Sequence, residues 1–210
     1  MKTDAEPKPK LIKAVSVFGF ADAKESEKLY REAYEVGRVL AQAGLVVVNG
    51  GGPGVMEAAS RGAKSVSGKV IGVTFYPVET TTFEGRAWSN PIDEEVVCGN
   101  YLERTMKLLG LGDAYIILNG GTGTISEFGM AWGLARLYFG HHKPLILYGE
   151  FWRKILAEIR KYMPIRSEEV KVYKVCGNTD ELIFAIEQFE KELLQAVHRH
   201  QQTAEKTFRI

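Results

Sequence analysis

The segment Leu118-Asn-Gly-Gly-Thr-Gly-Thr-Ile-Ser-Glu-Phe-Gly129 packs a glycine-rich turn, a helix start and a carboxylate, Glu127, into one short stretch. Glycine lets the backbone approach a ligand closely and take up positive φ. A helix start presents unpaired N–H groups and a partial positive charge. Together these features make an anion site, most simply for phosphate. A second cluster, Asn49-Gly-Gly-Gly-Pro-Gly54, likewise follows an apolar run and precedes a helical pattern. Neither loop is a P-loop, because no Gly-Lys-Ser/Thr follows the glycines. Gly121-Thr-Gly123 lacks the third glycine of a dinucleotide fingerprint, and the strand before the second cluster ends in Asn49 rather than an acid. A mononucleotide or sugar phosphate fits these loops better than NAD or ATP.

Two side chains could add chemistry. Thr124-Ile-Ser-Glu127 has the spacing of a capping box, in which the glutamate bonds back to the helix start. The same spacing also holds a carboxylate within a turn of the phosphate, where it could face a ribose, orient water or stabilise an oxocarbenium ion. Arg104, in Tyr-Leu-Glu-Arg-Thr-Met-Lys, lies off the Leu102/Met106/Leu109 stripe. Spacing alone puts it on a solvated helix face with Glu103 and Lys107.

The elements that must position these groups alternate between strand and helix. Apolar runs predict strands at residues 12–18, 45–48, 69–75, 114–118, 144–148 and 170–175. Helical spacing fills the intervals, with one helix over Thr124–Tyr138 and a last one capped by Thr179 or Asp180. The strands are continuous apolar runs rather than alternating ones, so both faces are covered. This predicts an α/β fold: a Rossmann-like open parallel sheet with helices on both faces. In such sheets ligands sit at the carboxyl ends of the strands where strand order reverses, and both glycine loops would open there. Residues 76–98 form a long irregular stretch, of the length used for lids and binding loops. The organisation expected is a lead-in over 1–11, one nucleotide-binding domain over 12–197 and a polar tail over 198–210.

The 210 residues are 45% hydrophobic and 25% charged, with 27 Lys and Arg against 26 Asp and Glu. A net charge of +1 suggests neither nucleic acid nor an anionic membrane as partner. No run reaches the ~18 apolar residues of a membrane span. The N-terminus carries no signal-like apolar stretch, and Cys98 and Cys176 are expected to be free thiols. A cytoplasmic protein is expected. His141 and His142 lack acidic companions, so no metal site is expected. Trp132, Trp152, Tyr138 and Phe139 fit a core or a subunit contact better than base stacking. The helix over 124–138 is apolar on more than one face, which suggests a homodimer or higher homo-oligomer.

At this point the chain resembles a known family. Asn-Gly-Gly-Thr-Gly-Thr-Ile-Ser-Glu127 matches the P-G-G-x-G-T-x-x-E signature of the LOG ("lonely guy") family at every position but the first. Gly50-Gly-Gly-Pro-Gly-Val-Met56 matches its second glycine motif, and Arg104 sits where the family carries its active-site arginine. The resemblance spans roughly Ala14 to Glu187. It implies a Rossmann-like dimer and a phosphoribohydrolase that cleaves a nucleoside 5′-monophosphate, AMP-like or a cytokinin riboside monophosphate, without cofactor or metal. Gly120, Gly121, Thr122, Gly123 and Thr124 would then cradle the 5′-phosphate, and Gly51, Gly52 and Gly54 would line the crevice. Glu127 and Arg104 would be the catalytic pair, with Arg104 keeping Glu127 ionised. Asn119 departs from the family proline. Thr105 stands where plant-like members have lysine, which weighs against a cytokinin nucleotide. The family's older label, lysine decarboxylase, finds no support, because no lysine is placed to hold pyridoxal phosphate. Relatives of this architecture include carriers of the molybdenum cofactor, a pterin phosphate, so a carrier is the rival expectation. A nucleotide sensor, binding without turnover, is a third.

Overall fold

The computed structural model describes the backbone of residues 10–76 and 85–207, with side chains to residue 196. Most of the expected lead-in, part of the 76–98 stretch and the side chains of the tail lie outside the described residues. Seven strands form one sheet in the order β4-β3-β2-β1-β5-β6-β7. They are β1 (Ala14–Phe18), β2 (Val46–Asn49), β3 (Val70–Phe75), β4 (Glu94–Cys98), β5 (Ala114–Ile117), β6 (Leu145–Tyr148) and β7 (Tyr173–Cys176). Every pairing is parallel.

The strand order reverses between β1 and β5, which are direct neighbours. Six strands match the sequence reading. The seventh, β4, falls within the stretch expected to be irregular, where it pairs with β3 alone. Glu94 and Glu95 are exposed, and Cys98 is the strand's one buried residue. The two glutamates at its start suit an edge strand, where charge discourages further pairing, and they hide the strand from a reading that looks for a continuous apolar run.

The helices are α1 (Lys28–Gln42), α2 (Val55–Lys64), α3 (Tyr101–Leu111), α4 (Thr122–Leu137), α5 (Phe151–Tyr162) and α6 (Thr179–Thr207). One face of the sheet, with Val15, Val17, Val47 and Ile116, packs against Val36 and Leu40 of α1, Ala59 of α2 and Leu182 and Phe189 of α6. The other face, with Phe18, Val73, Ile117 and Leu147, packs against Leu108 of α3, Phe128 of α4 and Trp152 of α5. Trp152 is therefore core, with its indole N–H donating to the Ile117 carbonyl at 3.1 Å. Both cysteines are buried free thiols. No helix among the described residues is long and apolar enough to cross a membrane.

In α3 only Leu109 of the stripe Leu102/Met106/Leu109 faces inward. Leu102 and Met106 are 69% and 56% exposed, and the buried face holds Arg104, Thr105, Leu108 and Leu109. A polar pair has displaced two apolar residues from the interior, and the site described below accounts for it.

Helices α1 and α2 approach closely enough for glycine to be required. A Cβ on Gly62 would strike the Tyr34 carbonyl, and one on Gly37 the Ala59 carbonyl. This backbone-to-backbone contact fixes the start of α2, and with it the second glycine loop. Gly62→Val is expected to cost about 1–3 kcal/mol through overpacking. A thermal melt of the variant checks this, and an unchanged midpoint would show that the two helices can part without loss.

Candidate active site

Three loops meet above the carboxyl ends of β1, β2 and β5 and are tied to one another through the main chain. The Phe20 N–H donates to the Asn119 carbonyl at 3.0 Å, and the Val55 N–H donates to the Phe20 carbonyl at 3.0 Å. Gly54, at φ +64°, seats α2 against the first loop, where a Cβ would strike the Phe20 and Ala21 carbonyls. The loops enclose a crevice of about 210 Å³, lined on one side by Gly121, Thr122, Gly123 and Thr124 and on the others by Gly19, Phe20, Gly50, Met56, Tyr101, Arg104 and Glu127.

Helix α4 opens on this crevice. Its N-cap is Gly121, in extended backbone and without a side-chain cap, and its first turn contains no acid. The first helical hydrogen bond runs from the Ile125 N–H to the Gly121 carbonyl at 3.0 Å. The amides of Thr122, Gly123 and Thr124 therefore have no acceptor within the helix, and they bring the positive end of the dipole with them. Gly120 stands behind this cradle. A Cβ there would collide with the Thr124 side chain.

Glu127 does not cap the helix. Because Gly121 starts α4 earlier than the Thr124 of the capping-box reading, Thr124 is the third helical residue and Glu127 falls in the second turn. Its side chain is buried and lines the crevice. Burial pushes its carboxyl from the ordinary 4.5 up to about 7, and the positive charge of Arg104 opposes this only in part. Arg104 thus favours the ionised form of Glu127, while burial, the larger effect, favours the neutral one.

Arg104 is buried rather than solvated. Its Nε donates to the Val73 carbonyl at 2.9 Å, and a terminal nitrogen donates to the Gly50 carbonyl at 3.1 Å and lies 3.6 Å from the Met56 sulfur. Burial lowers its pKa and the Glu127 charge raises it. Glu103, its expected surface companion, instead accepts from the Gly99 N–H at 2.7 Å, while Asn100 caps α3 by accepting from the Glu103 N–H at 2.9 Å.

The structure thus gathers Gly121, Thr122, Gly123, Thr124, Arg104 and Glu127 into one crevice. Gly51, Gly52 and Gly54 do not line it. They shape the loop behind, where Asn49 Oδ1 accepts from the Gly51 N–H at 2.8 Å and Asn90 Nδ2 donates to the Gly52 carbonyl at 2.8 Å. Of that cluster Gly50 reaches the crevice, together with Met56, and a Cβ on Gly50 would strike the Arg104 guanidinium. The sequence reading missed Gly19, Phe20 and Tyr101. The first strand running into Gly19 beside the reversal point was the available signal. Among the described residues, no group of three or more His, Cys, Asp or Glu is placed to hold a metal.

Comparison with known proteins agrees with this architecture. The model of the SLOG cluster4 family matches residues 12–171. A cytokinin riboside 5′-monophosphate phosphoribohydrolase of Rhodococcoides fascians is 32% identical over 76% of this chain and 78% of its own length. An uncharacterized protein of Archaeoglobus fulgidus is 35% identical over 50% of this chain and 65% of its own, just under two thirds. The solved molybdenum cofactor binding protein of Rippkaea orientalis superposes with a TM-score of 0.61 at 25% identity, covering 87% of this chain and 99% of that one.

The buried carboxyl has a consequence for stability. Between about pH 4.5 and 7 the folded chain holds a proton on Glu127 that the unfolded chain has released. Stability from this group is therefore greatest below the unfolded value and falls as pH rises through the folded one, by about 3 kcal/mol at most. Glu127→Gln removes the dependence. Its melting temperature relative to the parent is expected to be higher near pH 8 than near pH 5, and an equal difference at both would mean that the carboxyl titrates normally.

Proposed function

The chain belongs to the SLOG cluster4 family, the LOG-like group that its glycine motifs resemble, and on that premise we propose that it is a phosphoribohydrolase, cleaving the N-glycosidic bond of a nucleoside 5′-monophosphate. The observation that carries this reading is the carboxyl of Glu127, buried in the crevice lining beside a helix N-terminus, where burial raises it above its ordinary value. A site built only to hold a phosphate gains nothing from a second anion there, whereas a site that stabilises positive charge on a ribose does.

In this mechanism the amides of Thr122, Gly123 and Thr124 hold the 5′-phosphate. The C1′–N bond breaks and its electron pair leaves with the base, which takes up a proton. Positive charge spreads over C1′ and the ring oxygen, as in glycoside hydrolysis. Ionised Glu127 stabilises that charge and accepts a proton from the water whose oxygen bonds to C1′. The products are free base and ribose 5-phosphate. Arg104, fixed by two carbonyls, holds a positive charge near the carboxylate and favours its ionised form. The relatives named for this reaction support the reading. Thr105 does not bear on the choice between an AMP-like and a cytokinin nucleotide, because it is fully buried and its hydroxyl donates to the Tyr101 carbonyl at 3.0 Å rather than reaching the crevice.

The active unit in this reading is a homodimer in the cytoplasm. Helices α3 and α4 are linked by Tyr101 and Ser126, whose hydroxyls lie 3.2 Å apart, and each exposes large apolar side chains, Leu102 and Met106 on α3 and Ile125 on α4. The rival reading, a carrier of a pterin phosphate, draws on the likeness to the Rippkaea protein.

Incubation with AMP, GMP, CMP or UMP, followed by chromatography, decides between them. The hydrolase releases base, and Arg104→Ala and Glu127→Gln each lower kcat/KM by about a hundredfold or more. Activity is expected to rise with pH through an acid limb at about 7, as Glu127 ionises. Thermal stabilisation by nucleotide with no release of base would favour the carrier.

A further inference from the structure

The crevice lining mixes polar groups with aromatic and apolar side chains. The α4 amides, Arg104 and Glu127 are suited to a phosphate and a ribose, and none of them offers a surface for a planar ring. The aromatic side chain lining the crevice that stands most open is Phe20, 40% exposed near the start of the first loop. Its backbone is held on both sides, by the Asn119 carbonyl and the Val55 N–H, each at 3.0 Å. Tyr101, also in the lining, is engaged elsewhere. Its ring meets Phe75 edge-on at 6.2 Å, and its hydroxyl contacts Ser126.

A large apolar side chain left half in water on an immobilised backbone brings the free protein no burial. It does give a ligand a pre-placed flat face with little ordering left to do on binding. We propose that Phe20 is the surface against which the nucleobase stacks, and that it makes the site prefer purine over pyrimidine nucleotides. The inference rests on the phosphoribohydrolase reading. A purine covers more of a phenyl ring than a pyrimidine does. Stacking engages the π-face, which every base has, so it ranks bases by ring size rather than by edge pattern. AMP and GMP should therefore be comparable substrates, and both should exceed CMP and UMP.

The test compares Phe20→Ala, Phe20→Leu and Phe20→Trp with the parent, using AMP and UMP as substrates and ribose 5-phosphate as product inhibitor. Phe20→Ala and Phe20→Leu should lower kcat/KM for AMP by about five- to a hundredfold, the range that loss of one base–aromatic stack implies. The AMP-to-UMP ratio should fall toward one. Inhibition by ribose 5-phosphate should not change, because the phosphate cradle is untouched, and Phe20→Trp should restore the purine preference. If the parent hydrolyses AMP and Phe20→Ala keeps the parental AMP-to-UMP ratio, the stacking role is wrong while the hydrolase reading stands. If the parent releases no base, the hydrolase reading fails and thermal stabilisation decides the role of Phe20. AMP stabilising more than ribose 5-phosphate, with that excess lost in Phe20→Ala, keeps the stacking surface. Equal stabilisation by the two ligands, or none by either, rejects it.

Discussion

The buried guanidinium of Arg104 is the constraint on which the rest of the site depends. Removing a full charge from water costs several kcal/mol unless hydrogen bonds replace the lost hydration. Here the replacements are two main-chain carbonyls, Gly50 just beyond β2 and Val73 within β3. Both lie toward the carboxyl ends of neighbouring parallel strands, so α3 must cross above that edge of the sheet. The same requirement fixes Gly50, where a Cβ would occupy the place of the guanidinium. The second glycine motif and the arginine helix are therefore two parts of one device. Without its charge, the buried carboxyl of Glu127 would be held still further toward the neutral form.

The parts of this arrangement that are legible in the sequence are those encoded locally. Continuous apolar runs such as Tyr115-Ile-Ile-Leu118 identify buried parallel strands, and alternation with helices gives the fold class and the reversal point. The glycine-rich turn before α4 marks a helix start that lines the crevice. Features set by tertiary contacts are not legible. The exposed Leu102 and Met106 imitate an inward stripe, while the residues that do face inward, Arg104 and Thr105, are polar and are satisfied by carbonyls distant in the chain or one turn back. Edge strand β4 is hidden because it opens on two exposed glutamates rather than a continuous apolar run. Thr124 and Glu127 have the spacing of a capping box, but the extended Gly121 starts the helix earlier and turns that spacing into an interior one. Which glycines touch the ligand crevice and which support it from behind depends on collisions with Arg104, Thr124 and Ala21 that no local pattern contains.

The crevice divides its work between main chain and side chains. The helix start offers amides and a dipole whose strength does not depend on pH, while Glu127 beside it exchanges a proton near neutrality. A phosphate held at the amides would raise the carboxyl further and Arg104 would lower it, so the ionised fraction follows from the balance of two fixed neighbours and one ligand. In the phosphoribohydrolase reading, the proximity of helix end, carboxyl and guanidinium would thus couple occupancy of the phosphate cradle to the protonation of Glu127.

Because the proposed cradle consists of peptide N–H groups, a hold on an anion there would be unusually resistant to mutation. Any residue except proline contributes the same donor at Thr122, Gly123 or Thr124, provided its side chain clears the crevice. The groups that meet the remainder of a ligand, Phe20, Met56, Tyr101 and Glu127, are side chains that a single codon change can replace. In the phosphoribohydrolase reading, such a scaffold would exchange one phosphate ester for another, or catalysis for simple carriage, while the main-chain donors for the shared phosphate persisted through every intermediate sequence.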